Sequence, residues 1–538
     1  MSVLRVENLS YRYPGAEQPA LDGVSLEVEP GEFVVCSGLS ASGKSTLLRA
    51  ACGLVPHFHG GAVSGRVTVG GMDTREHQPG DLAPVAGTLL QDPETQVVMA
   101  TVGGELAFPL ENRGLGPAAV ARGVEEVALA LGIGELLERP TAALSGGELQ
   151  KVALGAALAA RPSLVLLDEP ASQLDPVAAD ELIWLLRRLN EEWGTAVLLV
   201  EHRLERCLAH ADRVIVLDAG RLSFDGSPRA MLEWAAQVEP ALQTPGARLF
   251  ERGGLVPPPS GVREARATLR DHGLLDALPP APEPTSGSAS ARRRGWRRGR
   301  GPESALRARG LWASRPDAPD VLRSVDLEVA AGECLAVMGR NGAGKSTLLR
   351  QLAGLDDPDR GSVEAAGPVA LLLQNPGDYL LAERAGDEVG PGSLERFGLA
   401  DLAERHPRDL SGGERQRLAL ALITEGESPR ALLLDEPTRG MDRAARGELV
   451  SRLRELRSSG TAVVIATHDA ELAAVLADRV VLLSGGRPVT DAPPSEVLSG
   501  GWHFSTETAR ILGGAGGACT PEEGGELLRG AMSVEVAP

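Results

Sequence analysis

The feature that most constrains this chain is a glycine-rich loop that occurs twice. Residues 38–46 read GLSASGKST and residues 339–347 read GRNGAGKST, so both fit the pattern G-x-x-x-x-G-K-[ST]. Glycines let backbone N–H groups curl around phosphate oxygens, and a helix that begins there adds its positive N-terminal end. The lysine can neutralise the β- and γ-phosphates, and the serine after it can ligate Mg²⁺. The sequence therefore predicts two nucleotide sites. The candidate binding residues are Gly38, Ser40, Gly43, Lys44, Ser45 and Thr46 in the first loop and Gly339, Asn341, Gly342, Gly344, Lys345, Ser346 and Thr347 in the second.

Composition gives the two loop lysines additional weight. Of the 54 Lys and Arg residues in the 538-residue chain only three are lysine, and two of those are Lys44 and Lys345. A planar guanidinium is a poor substitute for a compact ammonium at that position. The net charge of −19 argues against non-specific nucleic-acid binding by the whole molecule. The five cysteines are scattered without a C-x-x-C pair, which predicts buried packing rather than disulfides or a metal site.

The two halves repeat the same order of elements around these loops. Continuous apolar runs precede each loop and recur at 164–167 and 431–434, which predicts parallel strands buried on both faces and flanked by helices. The later runs end in acid pairs. The first acids, Asp168 and Asp435, are candidates to hold hydrated Mg²⁺. The second acids, Glu169 and Glu436, are candidate bases that polarise an attacking water.

A Ser-Gly-Gly motif precedes each acid pair. Residues 144–151 read LSGGELQK and residues 410–417 read LSGGERQR. At a helix start this motif exposes N–H groups and a hydroxyl, which is a second anion-binding element. Together with the loops and acid pairs, it resembles the ATP-binding cassette (ABC) family over nearly the whole chain. The resemblance implies an α/β fold of two P-loop NTPase cassettes, each with a parallel-sheet core, a small antiparallel sheet and a helical subdomain. It also implies an ATPase that uses ATP and Mg²⁺.

The resemblance assigns further residues one by one. It implies that Gln91 and Gln374 are Q-loop glutamines that also ligate Mg²⁺. It further implies that Asp175 and Asp442 are D-loop aspartates and that His202 and His468 are catalytic switch histidines. It also implies that the cassettes pair head to tail, so that each ATP meets the Ser-Gly-Gly motif of the other half. The first site would combine Lys44, Gln91, Asp168, Glu169 and His202 with Ser411, Gly412, Gly413, Glu414 and Asp442. The second would combine Lys345, Gln374, Asp435, Glu436 and His468 with Ser145, Gly146, Gly147, Glu148 and Asp175. Both sets are complete, so two active sites are expected.

The predicted domain order follows from these motifs and from composition. It is a first cassette at 1–235, its C-terminal appendage at 236–277, a flexible linker at 278–303, a shortened second cassette at 304–495 and a second appendage at 496–538. The linker contains an arginine run at 292–300. That run has two interpretations, a solvated linker or an electrostatic contact with anionic lipid headgroups.

The halves also differ in ways that bear on function. An aromatic residue before the first core strand stacks on adenine in the resembling family, and Tyr13 is the candidate here. Counting back from Leu21 and Leu322 places Ser314 opposite Tyr13 and Trp312 opposite Tyr11, so either Trp312 substitutes or the second site lacks this platform. The stretch from Lys345 to Ser411 is 35 residues shorter than that from Lys44 to Ser145 (66 against 101 positions). The second cassette should therefore have a trimmed small sheet and helical subdomain. This predicts either asymmetric coupling to a membrane partner or the loss of a peripheral helix without consequence.

Within the ABC family, the sequence most resembles importers of the energy-coupling factor (ECF) type. Residues 87–97 (GTLLQDPETQV) are similar to the extended Q-loop of that type, and Glu388 keeps the offset of Glu105. The resemblance implies a transmembrane T subunit and a substrate-binding S subunit as partners, with a vitamin or metal ion as cargo. The chain would be a peripheral protein on the cytoplasmic face of the cell membrane, since no apolar run is long enough to span it.

Three other classes compete with this interpretation. A fused ATPase of a sugar or peptide importer is disfavoured by the extended Q-loop. A soluble tandem-cassette translation factor typically joins its cassettes by a charged helical hairpin, whereas this linker is broken by Pro and Gly. A DNA-repair or chromosome-structure ATPase needs zinc cysteines or long heptad arms, and the sequence shows neither. No nucleic-acid partner is therefore expected.

Overall fold

The computed structural model describes residues 2–172, 174–282, 303–315, 318–426 and 428–535. The chain divides into two compact units, Met1–Thr244 and Pro245–Pro538. Among the helices in these ranges, none combines the length and apolar character needed to cross a bilayer. The arginine run at 292–300 lies outside the described residues.

The first unit contains a large and a small sheet. Its strands are β1 Leu4–Arg12, β2 Leu21–Val28, β3 Phe33–Ser37, β4 Ala62–Val69, β5 Met72–Asp73, β6 Ala86–Leu89, β7 Leu164–Asp168, β8 Ala196–Val200, β9 Arg213–Asp218 and β10 Arg221–Gly226. The large sheet has the order β10-β9-β3-β8-β7-β6 and is parallel except for β10. The small antiparallel sheet has the order β2-β1-β4-β5. Every residue of β3, β7 and β8 is buried, which confirms strands covered on both faces.

Helices cover the large sheet and form the side subdomain. They are Lys44–Ala51, Leu54–His57, Pro79–Leu82, Val102–Asn112, Pro117–Leu131, Gly146–Ala159, Pro176–Trp193, Leu204–Cys207 and Pro228–Val238. The helices Val102–Asn112 and Pro117–Leu131 pack on Gly146–Ala159 around Leu110, Val120 and Ala159. This helical subdomain places the Ser-Gly-Gly motif at the start of its third helix.

The second unit repeats this plan in shortened form. Its strands are β11 Ser304–Arg315, β12 Ala318–Ala330, β13 Cys334–Met338, β14 Arg360–Ala365, β15 Val369–Leu372, β16 Ala431–Asp435, β17 Ala462–Ala466, β18 Arg479–Ser484 and β19 Arg487–Ala492. The large sheet has the order β15-β16-β17-β13-β18-β19, and the small one is reduced to β12-β11-β14. The helices of this cassette are Lys345–Leu352, Ala385–Glu388, Pro391–Arg396, Gly412–Ile423, Arg443–Ser458, Ala470–Leu476 and Pro494–Val497. Two helices of four and six residues thus stand where the first unit has helices of eleven and fifteen. The shortening thus lies in the small sheet and in the helical subdomain.

A helical module completes the second unit, and we define it as residues 245–282 and 499–535. Its helices are Pro245–Gly253, Val262–Asp271, Leu274–Ala277, Glu507–Leu512 and Pro521–Glu535. They share one core that contains Phe250, Leu269 and Leu528. The buried carboxylate of Glu507 accepts a hydrogen bond from the N–H of Gly246 at 2.8 Å. Both predicted appendages are helical, and from Pro245 onward the residues of the first one pack with the second.

The cysteines match the expectation from the sequence. All five are free and buried. Burial raises the pKa of Cys36 and of Cys334 to about 12, so these thiols are protonated packing groups at neutral pH.

Candidate functional site

The two glycine-rich loops have the conformation that phosphate binding requires. Gly38 has φ +145°, and a Cβ there would lie 2.2 Å from the carbonyl oxygen of Leu217. Gly43, with φ +104°, precedes the helix Lys44–Ala51, and N–H groups in the first turn of a helix have no acceptor within that helix. A side chain at Gly38 would collide with the backbone of β9, so the close packing of the loop against this strand requires glycine.

Both loop lysines are buried and held by the loops themselves. The Nζ of Lys44 donates to the carbonyls of Gly38 at 2.9 Å and Leu39 at 2.7 Å. The Nζ of Lys345 donates to the carbonyls of Gly339 at 2.9 Å and Arg340 at 3.3 Å. Each ammonium is therefore preorganised within the loop at which the phosphates are predicted to bind.

The first acid pair gathers the residues that the sequence predicted for hydrolysis. Glu169 follows β7 in a left-handed conformation with φ +50°. Its Oε1 lies 3.0 Å from Nε2 of His202 and 3.4 Å from the amide nitrogen of Gln91. A left-handed glutamate is uncommon, and its recurrence in the other half points to a geometry kept for function.

Electrostatics separates the roles of the two acids. Burial and the adjacent Glu169 raise the pKa of Asp168 to about 6. Burial also acts to raise the pKa of Glu169, but His202 and then Lys44 outweigh it and hold that pKa below its usual value. Glu169 is therefore anionic at neutral pH and able to accept a proton.

The second acid pair repeats this arrangement with different partners. Glu436 is also left-handed, with φ +49°. Its Oε1 lies 2.9 Å from Nδ1 of His468 and 3.9 Å from Nζ of Lys345. The hydroxyl of Thr467 donates to Oε2 at 3.3 Å. Burial raises the pKa of Asp435 in this half as well.

The acid pairs are chemically suited to Mg²⁺. Asp168 is buried at the end of β7 and is hydrogen-bonded by Ser45, while its Oδ1 has no hydrogen-bond partner within the described ranges. Asp435 and Ser346 are paired in the same way. A carboxylate and a hydroxyl are hard oxygen donors of the kind Mg²⁺ prefers, often through its bound waters. The residues present therefore fit the ion, which would supply charge neutralisation to the phosphates.

The Ser-Gly-Gly motifs open helices through reciprocal caps. Ser145 accepts a hydrogen bond from the N–H of Glu148 at 3.4 Å, and Ser411 accepts one from Glu414 at 3.3 Å. In both motifs the serine N–H in turn donates a hydrogen bond to the glutamate carboxylate, which completes a capping box. The glycines occupy the first helical turn, where N–H groups lack intrahelical acceptors. That each motif completes the opposite site remains a prediction.

The D-loop aspartates also act as helix caps. Asp175 accepts a hydrogen bond from the N–H of Ala178 at 3.0 Å, and Asp442 accepts one from Ala445 at 2.8 Å. Each therefore fixes the start of the helix that follows its acid pair.

The candidate adenine platform lies beside the first loop. The hydroxyl of Tyr13 is 3.3 Å from the hydroxyl of Thr46 and accepts a hydrogen bond from Arg49 at 2.9 Å. Tyr13 is half-buried, whereas Tyr11 is fully buried and donates to the carbonyl of Gly60. This position beside the phosphate loop agrees with Tyr13 as the stacking candidate.

The strand register corrects the alignment of Trp312. Tyr11 pairs with Leu21, and the residue that pairs with Leu322 is Ala313 rather than Trp312. Ala313 belongs to the buried core, while the half-buried ring of Trp312 has a guanidinium, that of Arg360, 5.8 Å from its centroid. The sequence count was therefore wrong by one residue. Of the two versions left open, the register favours a second site without an aromatic platform.

Nucleotide affinities test this asymmetry. We expect Tyr13→Ala to weaken ATP binding at the first site about tenfold, because stacking on a base is worth about 1–3 kcal/mol. Trp312→Ala should change affinity at the second site less than about twofold. Titration with a fluorescent ATP analogue, with the other site blocked by a substitution of its loop lysine, checks both. A tenfold loss in Trp312→Ala would contradict the corrected register argument.

One residue beside the first acid pair was not singled out by the sequence. Glu201 is buried, and its carboxylate accepts hydrogen bonds from the N–H groups of Ala171 at 3.3 Å and His202 at 3.2 Å. The second half has Thr467 at this position. Glu201 could have been found from the sequence, because it is an acidic residue between the end of an apolar run and His202.

Comparisons with known proteins agree with this geometry. A family model described as "ABC transporter" matches residues 21–172 and 322–378, and one described as "AAA domain, putative AbiEii toxin, Type IV TA system" matches residues 355–474. A putative ABC transporter ATP-binding protein of Streptomyces coelicolor is 42% identical over an alignment of 556 positions, gaps included, that covers 95% of this chain and 97% of the relative. A similarly named protein of Bacillus thuringiensis subsp. konkukian is 36% identical over an alignment of 546 positions that covers 94% of this chain and 95% of that relative.

A solved structure extends the likeness in fold to both units. The archaeal ribosome recycling factor aABCE1, in complex with the ribosomal stalk protein aP1, gives a TM-score of 0.58 at 22% identity. The match covers 90% of each chain. At that level of identity it supports the same fold and nothing about the partner.

Proposed function

The chain belongs to the ABC transporter ATP-binding proteins, and we propose that it is the energy-coupling subunit of a membrane importer. It binds ATP, with Mg²⁺ as the partner ion, and hydrolyses it, as members of this family do. Our finer proposal is an importer of the ECF type, with a T-type transmembrane subunit and an S-type substrate-binding subunit as partners. The cargo would be a vitamin or a metal ion, and the chain would lie on the cytoplasmic face of the membrane.

The observation that carries this proposal is an exposed apolar residue at the same place in both Q-loop segments. Val98 and Leu381 each lie seven residues after the Q-loop glutamine, and they are 66% and 88% exposed. A single exposed apolar residue is common on protein surfaces, so our inference of a partner contact rests on its recurrence at the same position of both halves. In the first cassette, Glu105 accepts a hydrogen bond from the N–H of Val98 and, with Gln96 and Phe108, lines a cavity of about 690 Å³. A groove of this kind suits an inserted helix.

The shortened second cassette supports an unequal contact with the membrane partner. The first cassette keeps the helices Val102–Asn112 and Pro117–Leu131 beside its Q-loop, whereas the second has only Ala385–Glu388 and Pro391–Arg396. We propose that the first cassette makes the larger contact. The alternative is that the second lost a peripheral helix without effect on coupling.

Copurification tests the proposed role. The full-length tagged chain, isolated from its own cells in mild detergent, should carry a polytopic membrane protein in stoichiometric amount. Copurification with ribosomes and no membrane subunit would instead identify a soluble translation factor. A membrane subunit without an S-type protein, but with a periplasmic or lipid-anchored binding protein, would indicate a sugar or peptide importer.

Site-specific photocrosslinking tests the proposed contact surface. A photoreactive residue at Val98 or Leu381 should crosslink to the membrane subunit, with a higher yield at Val98. Val238 and Val489 are the control positions, because they are 61% and 57% exposed and lie after β10 and within β19, the edge strands opposite those that lead into the Q-loops. Yields at Val98 and Leu381 no higher than at these controls would contradict the proposed surface, and equal yields at the two would contradict the asymmetry.

A further inference from the structure

Each large sheet ends in an edge strand that runs directly into a Q-loop. Strand β6 leads into Gln91 and strand β15 into Gln374, and each is hydrogen-bonded to a neighbouring strand on one side only. The open side of such a strand presents backbone N–H and carbonyl groups that need partners. A short 3₁₀ helix follows each glutamine, at Pro93–Thr95 and Pro376–Tyr379.

In the first cassette a glutamine side chain takes the place of the missing neighbour strand. The Oε1 of Gln96 accepts a hydrogen bond from the N–H of Leu90 at 2.7 Å, and its Nε2 donates to the carbonyl of Thr88 at 3.2 Å. A residue on a parallel neighbour strand bonds in the same way, to the residues before and after the one it faces. The amide of Gln96 thus acts as one peptide unit placed opposite Leu89.

In the second cassette a tyrosine forms the same bridge with a single oxygen atom. The hydroxyl of Tyr379 accepts from the N–H of Leu373 at 3.1 Å and donates to the carbonyl of Leu371 at 3.1 Å. Gln96 and Tyr379 each lie five residues after the Q-loop glutamine. Two different side chains therefore satisfy the same pair of backbone groups.

A glutamate fixes the far end of each segment to the helical side. The buried carboxylate of Glu105 accepts hydrogen bonds from the N–H groups of Val98 at 3.0 Å and Met99 at 2.7 Å. Glu388 accepts one from the N–H of Ala382 at 2.6 Å. The Q-loop segments are thus bound at one end to the sheet edge and at the other to the helical subdomain.

We propose that Gln96 and Tyr379 are positioning residues for ATP hydrolysis, which hold Gln91 and Gln374 in register with the acid pairs. Each closes a loop of five residues onto the strand end, so the glutamine at the start of the loop has little freedom. The amide of Gln91 lies 3.4 Å from Oε1 of Glu169, a distance that a small shift of the loop would change. The inference rests on ATP hydrolysis and holds whichever membrane partner the chain serves.

Variants of the full-length chain that remove or exchange the side chains at positions 96 and 379 test the proposal. The double variant Gln96→Leu/Tyr379→Phe removes both bridges, and we expect its kcat to fall about tenfold, since second-layer groups at such sites typically act on this scale. The KM for ATP should stay within about twofold, and the Mg²⁺ concentration for half-maximal rate should rise. The swapped variant Gln96→Tyr/Tyr379→Gln should keep at least about half of the wild-type kcat, because each side chain can again donate and accept.

Three results would overturn the proposal. One is an unchanged kcat in the variant without bridges. Another is an equal loss of kcat in the swapped variant, which would assign the effect to packing rather than hydrogen bonding. The third is a fall in kcat matched by the same proportional rise in KM, with the Mg²⁺ requirement unchanged. If the double variant does not fold, Tyr379→Phe alone, which deletes one oxygen atom, is expected to show the same kcat-selective loss on a smaller scale.

Discussion

Replacing Glu169 and Glu436 together by glutamine is expected to lower the ATPase rate at least about a hundredfold while ATP binding persists. A general base contributes about 10²–10⁴ to a rate, and glutamine keeps the size of the side chain but cannot accept a proton. Both carboxylates lie beside a histidine, at 3.0 Å from His202 and 2.9 Å from His468. Phosphate release at saturating ATP, with nucleotide binding measured in parallel, checks the expectation.

The single variants decide whether both sites hydrolyse. Because each half has the complete set of predicted residues, Glu169→Gln and Glu436→Gln should each remove a substantial part of the rate. Glu201→Gln is the control in the first site, because this neighbouring buried carboxylate accepts hydrogen bonds from the backbone N–H groups of Ala171 and His202. An intact rate in Glu169→Gln together with complete loss in Glu436→Gln would show that only the second site is active.

The core of each site was predictable because its residues are fixed by local motifs. Lys44 follows from the loop pattern, and Glu169 and His202 each stand at or just after the end of a buried strand. Carboxyl ends of adjacent parallel strands meet at one edge of a sheet, so motifs far apart in sequence converge there. The contact between Glu169 and His202 is the direct result, since β7 and β8 are neighbours.

The register of the small sheets was not predictable by counting. The register shifts of β11 against β12, between Ala308 and Leu311 and between Leu311 and Ala313, repeat those of β1 against β2. The halves differ in the connection between the paired residues, which is nine residues long (12–20) in the first half and eight (314–321) in the second. Connections vary in length without any mark in the composition, so a count back from Leu322 placed Trp312 where Ala313 lies.

The packing of the tails was equally hidden from the sequence. Residues 236–277 were predicted as an appendage of the first cassette, yet Phe250 and Leu269 share a core with Leu528. Such a long-range contact depends on tertiary packing, and the local helical pattern of either tail is the same in both arrangements. The sequence also did not indicate the bridges at Gln96 and Tyr379, because two chemically different residues make the same backbone contacts in the two halves.

The most direct test of the composite sites asks whether the Ser-Gly-Gly motif of each half supports ATP hydrolysis at the loop of the other half. In a Glu436→Gln background only the first site should hydrolyse ATP. There, Ser411→Arg is expected to lower the remaining rate at least about tenfold, whereas Ser145→Arg should leave it within about twofold. Arginine at a helix start would fill the space in which the motif's N–H groups are predicted to meet a phosphate, and it would remove the serine cap in both variants alike.

The reciprocal background supplies the matched control for this test. With Glu169→Gln in place, Ser145→Arg should abolish the activity of the second site and Ser411→Arg should spare it. Both serines have the same cap geometry, so a simple loss of helix stability would affect the two variants equally in both backgrounds. If Ser145→Arg is instead the damaging change when Glu436 is replaced, each motif serves the loop of its own half, and the head-to-tail arrangement is wrong.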